Sequence, residues 1–296
     1  MKTRIPRLVF ALSAVLALAC AQAAAVGARR QQTAAARAAR TVLFAVEKYE
    51  ANVTMEPIVI YERGAYAKPP VDDEAGSQAF TREFFRAGRQ FRLLSGGGDA
   101  GTVTVKKAME PGCVFLAAEV SVETQARLGG RVQALATDSS TLGRGASSRR
   151  APTEAERARA IELARAAYAK NGAPAALVGK MEVANLTATD LDRDGREELI
   201  GSFVVEKKSE TAGDAWTLFL IIEPEGGTFK TAWEWFHHGF EGEYADRRYV
   251  DQIDLDGDGV GEVVVEGSYY ESNDYIIYKK QQGRWRPVYQ GGGGGC

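Results

Sequence analysis

Two nine-residue segments share the pattern D-x-D-x-D-G-x-x-E: Asp190-Leu191-Asp192-Arg193-Asp194-Gly195-Arg196-Glu197-Glu198 and Asp254-Leu255-Asp256-Gly257-Asp258-Gly259-Val260-Gly261-Glu262. Aspartates at alternating positions can reach one point only where the chain curls around it, and the glycine at the sixth position takes the sharp turn such a curl needs. Adding the seventh residue's backbone carbonyl and the acid at the ninth gives numerous, mostly anionic oxygen donors. That is the donor set of Ca²⁺, whereas Mg²⁺ keeps its waters and wants a strict octahedron. Four carboxylates gathered without a cation repel, so each loop and its ion are expected to be coupled. One Asp-Gly turn is an ordinary surface feature; two matched copies 64 positions apart are not.

An EF-hand loop begins the same way but carries a bidentate Glu at its twelfth position between two helices. Here that position is Gly201 or Val265, and the segments that follow, LIGSFVVE and VVVEGSYYE, have strand composition. The likeness of the two halves continues past the loops. WTLFLIIEPEGG and FKTAWEWFHHG answer YIIYKKQQG and WRPVYQG, with Phe229 and Trp233 aligned on Trp285 and Tyr289. Each copy reads as a three-stranded antiparallel meander of about 55 residues, a tandem internal repeat.

DLDRDGREEL and DLDGDGVGEVVV resemble the calcium loops of FG-GAP or VCBS-type repeats, which occur in integrin-type propellers and in many secreted bacterial proteins. The resemblance covers residues 183–290 and implies propeller-blade-like meanders with Ca²⁺ as the bound ion. It implies Asp190, Asp192, Asp194 and Glu198 as side-chain ligands in the first loop, and Asp254, Asp256, Asp258 and Glu262 in the second. Arg196 and Val260 would contribute backbone carbonyls.

The N-terminus supplies a destination. Lys2, Arg4 and Arg7 precede the apolar run Leu8–Ala19, too short to span a bilayer comfortably, so residues 1–23 read as a secretory signal peptide. Ala21-Gln22-Ala23 offers ordinary cleavage. Ala17-Leu18-Ala19-Cys20 resembles a lipobox, which would end the signal at residue 19 and lipidate Cys20; an uncleaved anchor is a third reading. The expected location is extracytoplasmic, in the periplasm, at the cell surface or secreted, with membrane attachment only through Cys20. In an oxidising compartment the other two cysteines, Cys113 and Cys296, form an even pair and are expected to bond. A conjugation tag or a free thiol on the Gly-rich tail, residues 291–296, are the alternatives.

Residues 24–40 read as a linker and residues 41–142 as a β-rich domain of extended, β-branched runs. One short helix is expected inside it around Phe80 and Phe84, with Ser77 as cap and Gly88 as stop. Turn-rich residues 137–150 mark a boundary. The following helix, 153–171, opens on a Thr153/Glu156 capping box and stops at Asn171-Gly172. The fold class is therefore mainly β with one bridging helix (α+β): an N-terminal β-rich domain followed by antiparallel meander repeats.

Lys plus Arg number 37 against 39 Asp plus Glu, with no basic stripe, which argues against nucleic acid as a partner. No nucleophile, base and oxyanion set can be assembled from the sequence. The two histidines, His237 and His238, are neighbours whose side chains diverge on a strand. Cys113 sits in a strand-like apolar run, and Ser95-Gly96-Gly97-Gly98-Asp99 lacks the lysine of a phosphate loop. The expected function is a non-catalytic envelope or cell-surface binding module with structural Ca²⁺ and a protein or glycan partner. The alternative is an extracytoplasmic, hydrolase-like enzyme with its site within residues 41–142.

Overall fold

The computed structural model describes residues 40–110, 116–207, 213–240 and 243–295. The signal segment with Cys20, all of the linker but Arg40, and both Cys113 and Cys296 with their expected disulfide lie outside the described residues.

The first described strand, β1 (Thr41–Tyr49), sets the layering, because its period-two side chains serve two cores. Val42, Phe44 and Val46 point into one cluster, and Leu43 and Ala45 into another. β1 pairs with β2 (Asn52–Glu62) on one edge and β7 (Val132–Thr137) on the other. With β4 (Gln90–Ser95), β5 (Gly98–Ala108) and β6 (Ala118–Thr124) it closes a six-stranded antiparallel barrel in the order β1-β7-β4-β5-β6-β2, and β3 (Ala65–Ala67) extends β2. Closure leaves the barrel strands without free edges.

α1 (Glu74–Phe84) plugs the barrel interior with Phe80 and Phe84, whose rings lie 6.2 and 5.9 Å from that of Phe44. Its cap is Asp73, whose carboxylate accepts from Gly76 N at 3.1 Å, and not Ser77, which sits one turn in and donates to Pro70 O at 2.6 Å. The acid upstream wins because it also complements the positive helix end.

Residues 143–150 leave the barrel along its neighbour and are pinned by a bridge between Arg150 and Ala188. α2 (Glu154–Lys170) has the expected reciprocal capping box, and Ala160, Ala164, Ala167 and Tyr168 face inward. The short α3 (Ala175–Val178) follows.

Two four-stranded antiparallel sheets complete the chain. The first runs β8 (Glu182–Thr189), β9 (Glu198–Lys207), β10 (Asp214–Glu225), β11 (Thr228–Phe240), and the second β12 (Ala245–Ile253), β13 (Glu262–Tyr269), β14 (Ser272–Gln281), β15 (Arg284–Gly295). Each therefore has one strand more than the three expected, placed before the acidic loop. The layers stack as barrel, second sheet, first sheet, helix. Leu43, Val59 and Leu135 of the barrel meet Val264, Tyr275 and Ile277; the other face of that sheet, through Val263, Val265 and Tyr278, meets Ile200, Phe219 and Ile221; α2 covers the outside. Truncating a wholly buried ring at such a seam costs about 3–5 kcal/mol.

The glycine run 291–295 is not a free tail. Those residues complete β15, paired with β14 through Ser272↔Gly295 and Tyr275↔Gly291. A Cβ on Gly292 (φ +70°) would lie 2.6 Å from Ile58 O, so the backbone passes β2 too closely for any side chain.

Candidate metal centre

Each acidic loop links the first and second strands of its sheet, β8 to β9 and β12 to β13. The local construction is the same in both. The leucine at the second position, Leu191 or Leu255, is buried in the core and fixes the loop's root. Its N–H donates to the carboxylate at the ninth position, Leu191 N to Glu198 Oε2 at 2.9 Å and Leu255 N to Glu262 Oε2 at 2.8 Å. The chain turns through left-handed backbone at the fourth and sixth positions, Arg193 and Gly195 in one loop and Gly257 and Gly259 in the other. The first aspartate then accepts from the sixth-position N–H: Gly195 N to Asp190 Oδ2 at 3.0 Å, Gly259 N to Asp254 Oδ2 at 3.2 Å. The loops touch, since Gly261 N donates to Leu191 O at 2.7 Å and Arg193 lies 3.8 Å from Asp254.

These turns bring together Asp190, Asp192 and Glu198, each offering a carboxylate oxygen within 4.8 Å of the others, and likewise Asp254, Asp256 and Glu262. Among the described residues these are the two groups of that kind. Each fifth-position aspartate meets a cation of the chain itself. Asp194 Oδ2 accepts from Arg196 Nε at 2.9 Å, and that guanidinium holds its carboxyl below the ordinary range. Asp258 Oδ2 lies 2.7 Å from Lys279 Nζ. At the seventh position, Arg196 thus uses its side chain within the loop, while Val260 packs on the seam between the sheets.

Burial sets the electrostatics of both groups. Burial, reinforced by Asp192, pushes the Glu198 carboxyl up to about 7 against the opposing hydrogen bond from Leu191 N. Burial likewise raises Glu262 to about 7, although Lys279 opposes it, and raises Asp254. Asp192 Oδ1 and Asp254 Oδ1 are buried without a hydrogen-bond partner. An orphaned anionic oxygen costs several kcal/mol unless an ion or water meets it, and each loop holds one, beside two further carboxylates. All three side chains of each group offer hard oxygen, which could hold a metal ion without being specific to Ca²⁺.

Comparison of the chain with protein-family models, curated proteins and solved structures finds no match.

The remaining candidates are placed apart from these loops. His237 and His238 lie on β11; His238 stacks on Trp216 at 4.4 Å and His237 Nε2 is 2.6 Å from Glu243 O. Gly96 and Gly97 form the β4–β5 turn, where Gly96 N donates to the buried Asp251 at 2.9 Å. Trp216 and Trp285 are core residues, and Trp233 and Trp235 are half-buried. An open depression of about 950 Å³ between barrel and first sheet is lined by Asp99, Glu123, Arg127, Arg149 and Arg150 among others. Two of its charges are paired, Asp99 with Arg92 and Arg150 with Glu156 and Glu197. No helix among the described residues is long and apolar enough to cross a membrane.

Two residues beside the loops escaped the sequence reading, Lys279 and Lys280. They stand in YIIYKKQQG as an unremarkable polar strand end. Only cross-strand pairing brings Lys279 against the second loop and sends Lys280, on the opposite face, to 3.6 Å from Asp192.

Proposed function

We propose that this chain is an exported, non-catalytic binding module of the FG-GAP/VCBS type, in which Ca²⁺ in the acidic loops is a structural ion. The observation that carries the reading is the paired convergence of three carboxylates at the same place in two stacked four-stranded sheets, with one orphaned aspartate oxygen in each. Four-stranded meanders packed face to face are blade-like. They form a stack of two, with the barrel as the third layer, rather than a ring.

An ion at the root of β9 or β13 cancels the repulsion among its ligands and ties the loop to the buried leucine behind it. It thereby fixes how the sheets sit on each other. Three exposed aromatic residues support a binding role: Tyr49, Phe240 and Tyr270 are 72, 50 and 59% accessible. They lie at the β1–β2 turn, the end of β11 and the β13–β14 turn, the end of the stack opposite the acidic loops. The loops would organise the scaffold and the far end would meet a protein or glycan at the cell surface. Extracellular calcium modules bind at about 10⁻⁴ to 10⁻³ M, so these loops fill outside the cell. The test is calorimetric melting of the exported chain with millimolar calcium and with chelator. The reading expects a raised midpoint with calcium; an unchanged one defeats it.

A further inference from the structure

The two loops match in backbone and differ in charge. Lys279 of β14 places its Nζ 2.7 Å from Asp258 Oδ2, 2.7 Å from Glu262 Oε1 and 3.0 Å from Asp256 Oδ1. Its side chain is only 13% exposed. The strand register gives the counterpart in the first sheet. Val263 pairs with Tyr278 and Leu199 with Ile222, so the next residues, Lys279 and Glu223, occupy equivalent positions. Where the second loop receives an ammonium, the first has a carboxylate. The lysine nearest the first loop, Lys280, is bonded to that carboxylate, 2.9 Å from Glu223 Oε1, and stands 3.6 Å from Asp192 Oδ2. Among the described residues no lysine approaches the group Asp190, Asp192 and Glu198 more closely than this.

We propose that Lys279 is a built-in counter-ion of the second loop, seated where a divalent cation would sit, so that the first loop binds Ca²⁺ readily and the second only by expelling Lys279. The inference rests on the calcium reading above and adds to it an order of filling. Loading the second loop breaks three short charge-assisted contacts and returns the ammonium to water, whereas loading the first disturbs only the longer Lys280–Asp192 pair at 3.6 Å. The second site is therefore about tenfold weaker or more. The first ion is a fixed part of the fold. The second is a response to calcium concentration that releases a cationic side chain.

Calcium titration calorimetry on the full chain tests this with Lys279→Met, Lys280→Met and the double variant Asp192→Asn/Glu198→Gln. In the wild type, two classes of site separated by about tenfold are expected. K279M brings the weaker class up to the stronger, K280M leaves the separation in place, and the double variant removes the stronger class alone. In chelator K279M melts below wild type, and calcium restores it. Should K279M not fold, the wild type carries the test by NMR of the lysine ammonium groups. The Lys279 signal stays protected through the first equivalent of calcium and is lost on the second. Two equal sites, insensitive to K279M, overturn the proposal and leave the calcium reading standing. No binding by wild type or K279M overturns both.

Discussion

Glu56 is a buried carboxyl at the joint between barrel and second sheet, and its ionisation should be visible in the stability of the whole chain. Its Oε1 accepts from the Tyr275 hydroxyl at 2.6 Å and from Asn273 Nδ2 at 3.1 Å, and Tyr275 also reaches Glu47 at 2.8 Å. Burial first, and Glu47 second, push the Glu56 carboxyl from 4.5 up to about 8. The folded pKa of this acid lies above its unfolded value. Its contribution is therefore full below pH 4.5 and falls as pH rises toward 8. At about 1.4 kcal/mol per pH unit the full interval would amount to about 5 kcal/mol. The hydrogen-bonded cluster around the Tyr275 hydroxyl shares part of this, leaving about 2–4 kcal/mol. Glu56→Gln keeps the oxygen acceptor and supplies N–H donors toward Glu47, but cannot ionise. Urea unfolding of both proteins at pH 5, 6, 7 and 8, at fixed calcium, should show the variant gaining on wild type by about 2–4 kcal/mol across the series. Other groups titrate in both proteins and cancel in the difference. Parallel pH profiles would refute the reasoning.

Three further substitutions probe the frame. Tyr168→Phe removes a buried hydroxyl that donates to Phe203 O at 2.7 Å and Trp216 O at 3.0 Å, and should cost about 1 kcal/mol in denaturant unfolding. Thr153→Ala removes the N-cap of α2 and should cost about 1 kcal/mol by the same measurement, with helix content retained by circular dichroism. Gly292→Ala forces a Cβ to within 2.6 Å of Ile58 O at φ +70° and should cost about 2–4 kcal/mol. Gly283→Ala, at φ +74° in open space, should cost only about 1 kcal/mol, so a ratio near unity in their melting shifts would mean the glycine strand is not packed on β2.

The parts that could be read in the sequence were those whose signal is local. β1 shows itself in TVLFAVEKY, α2 in its capping box, and the loops in their aspartate spacing. What stayed hidden was written in tertiary pairing. β8 is EVANLTAT and β12 is ADRRYVDQI, sequences whose polar residues suppress a strand reading. In β12 those residues other than Arg248 are buried and bonded: Asp251 accepts from Gly96 N at 2.9 Å, and Arg247 stands over the rings of Trp235 and Tyr269. The glycine end of β15 has no side chains to pattern, and only the backbone of β2 beside it explains the composition. In the loops, spacing alone treats all three aspartates alike. The pairing of Asp194 with Arg196, and of Asp256 and Asp258 alike with Lys279, depends on cations whose reach spacing does not encode.

Anomalous diffraction from crystals grown in calcium tests the centre of the account most directly. A peak is expected among Asp190, Asp192 and Glu198, with carboxylate oxygens at about 2.3–2.6 Å. A second, among Asp254, Asp256 and Glu262, should come with Lys279 withdrawn. Density with neither peak, the first-loop acids turned to solvent around no common point, would contradict it.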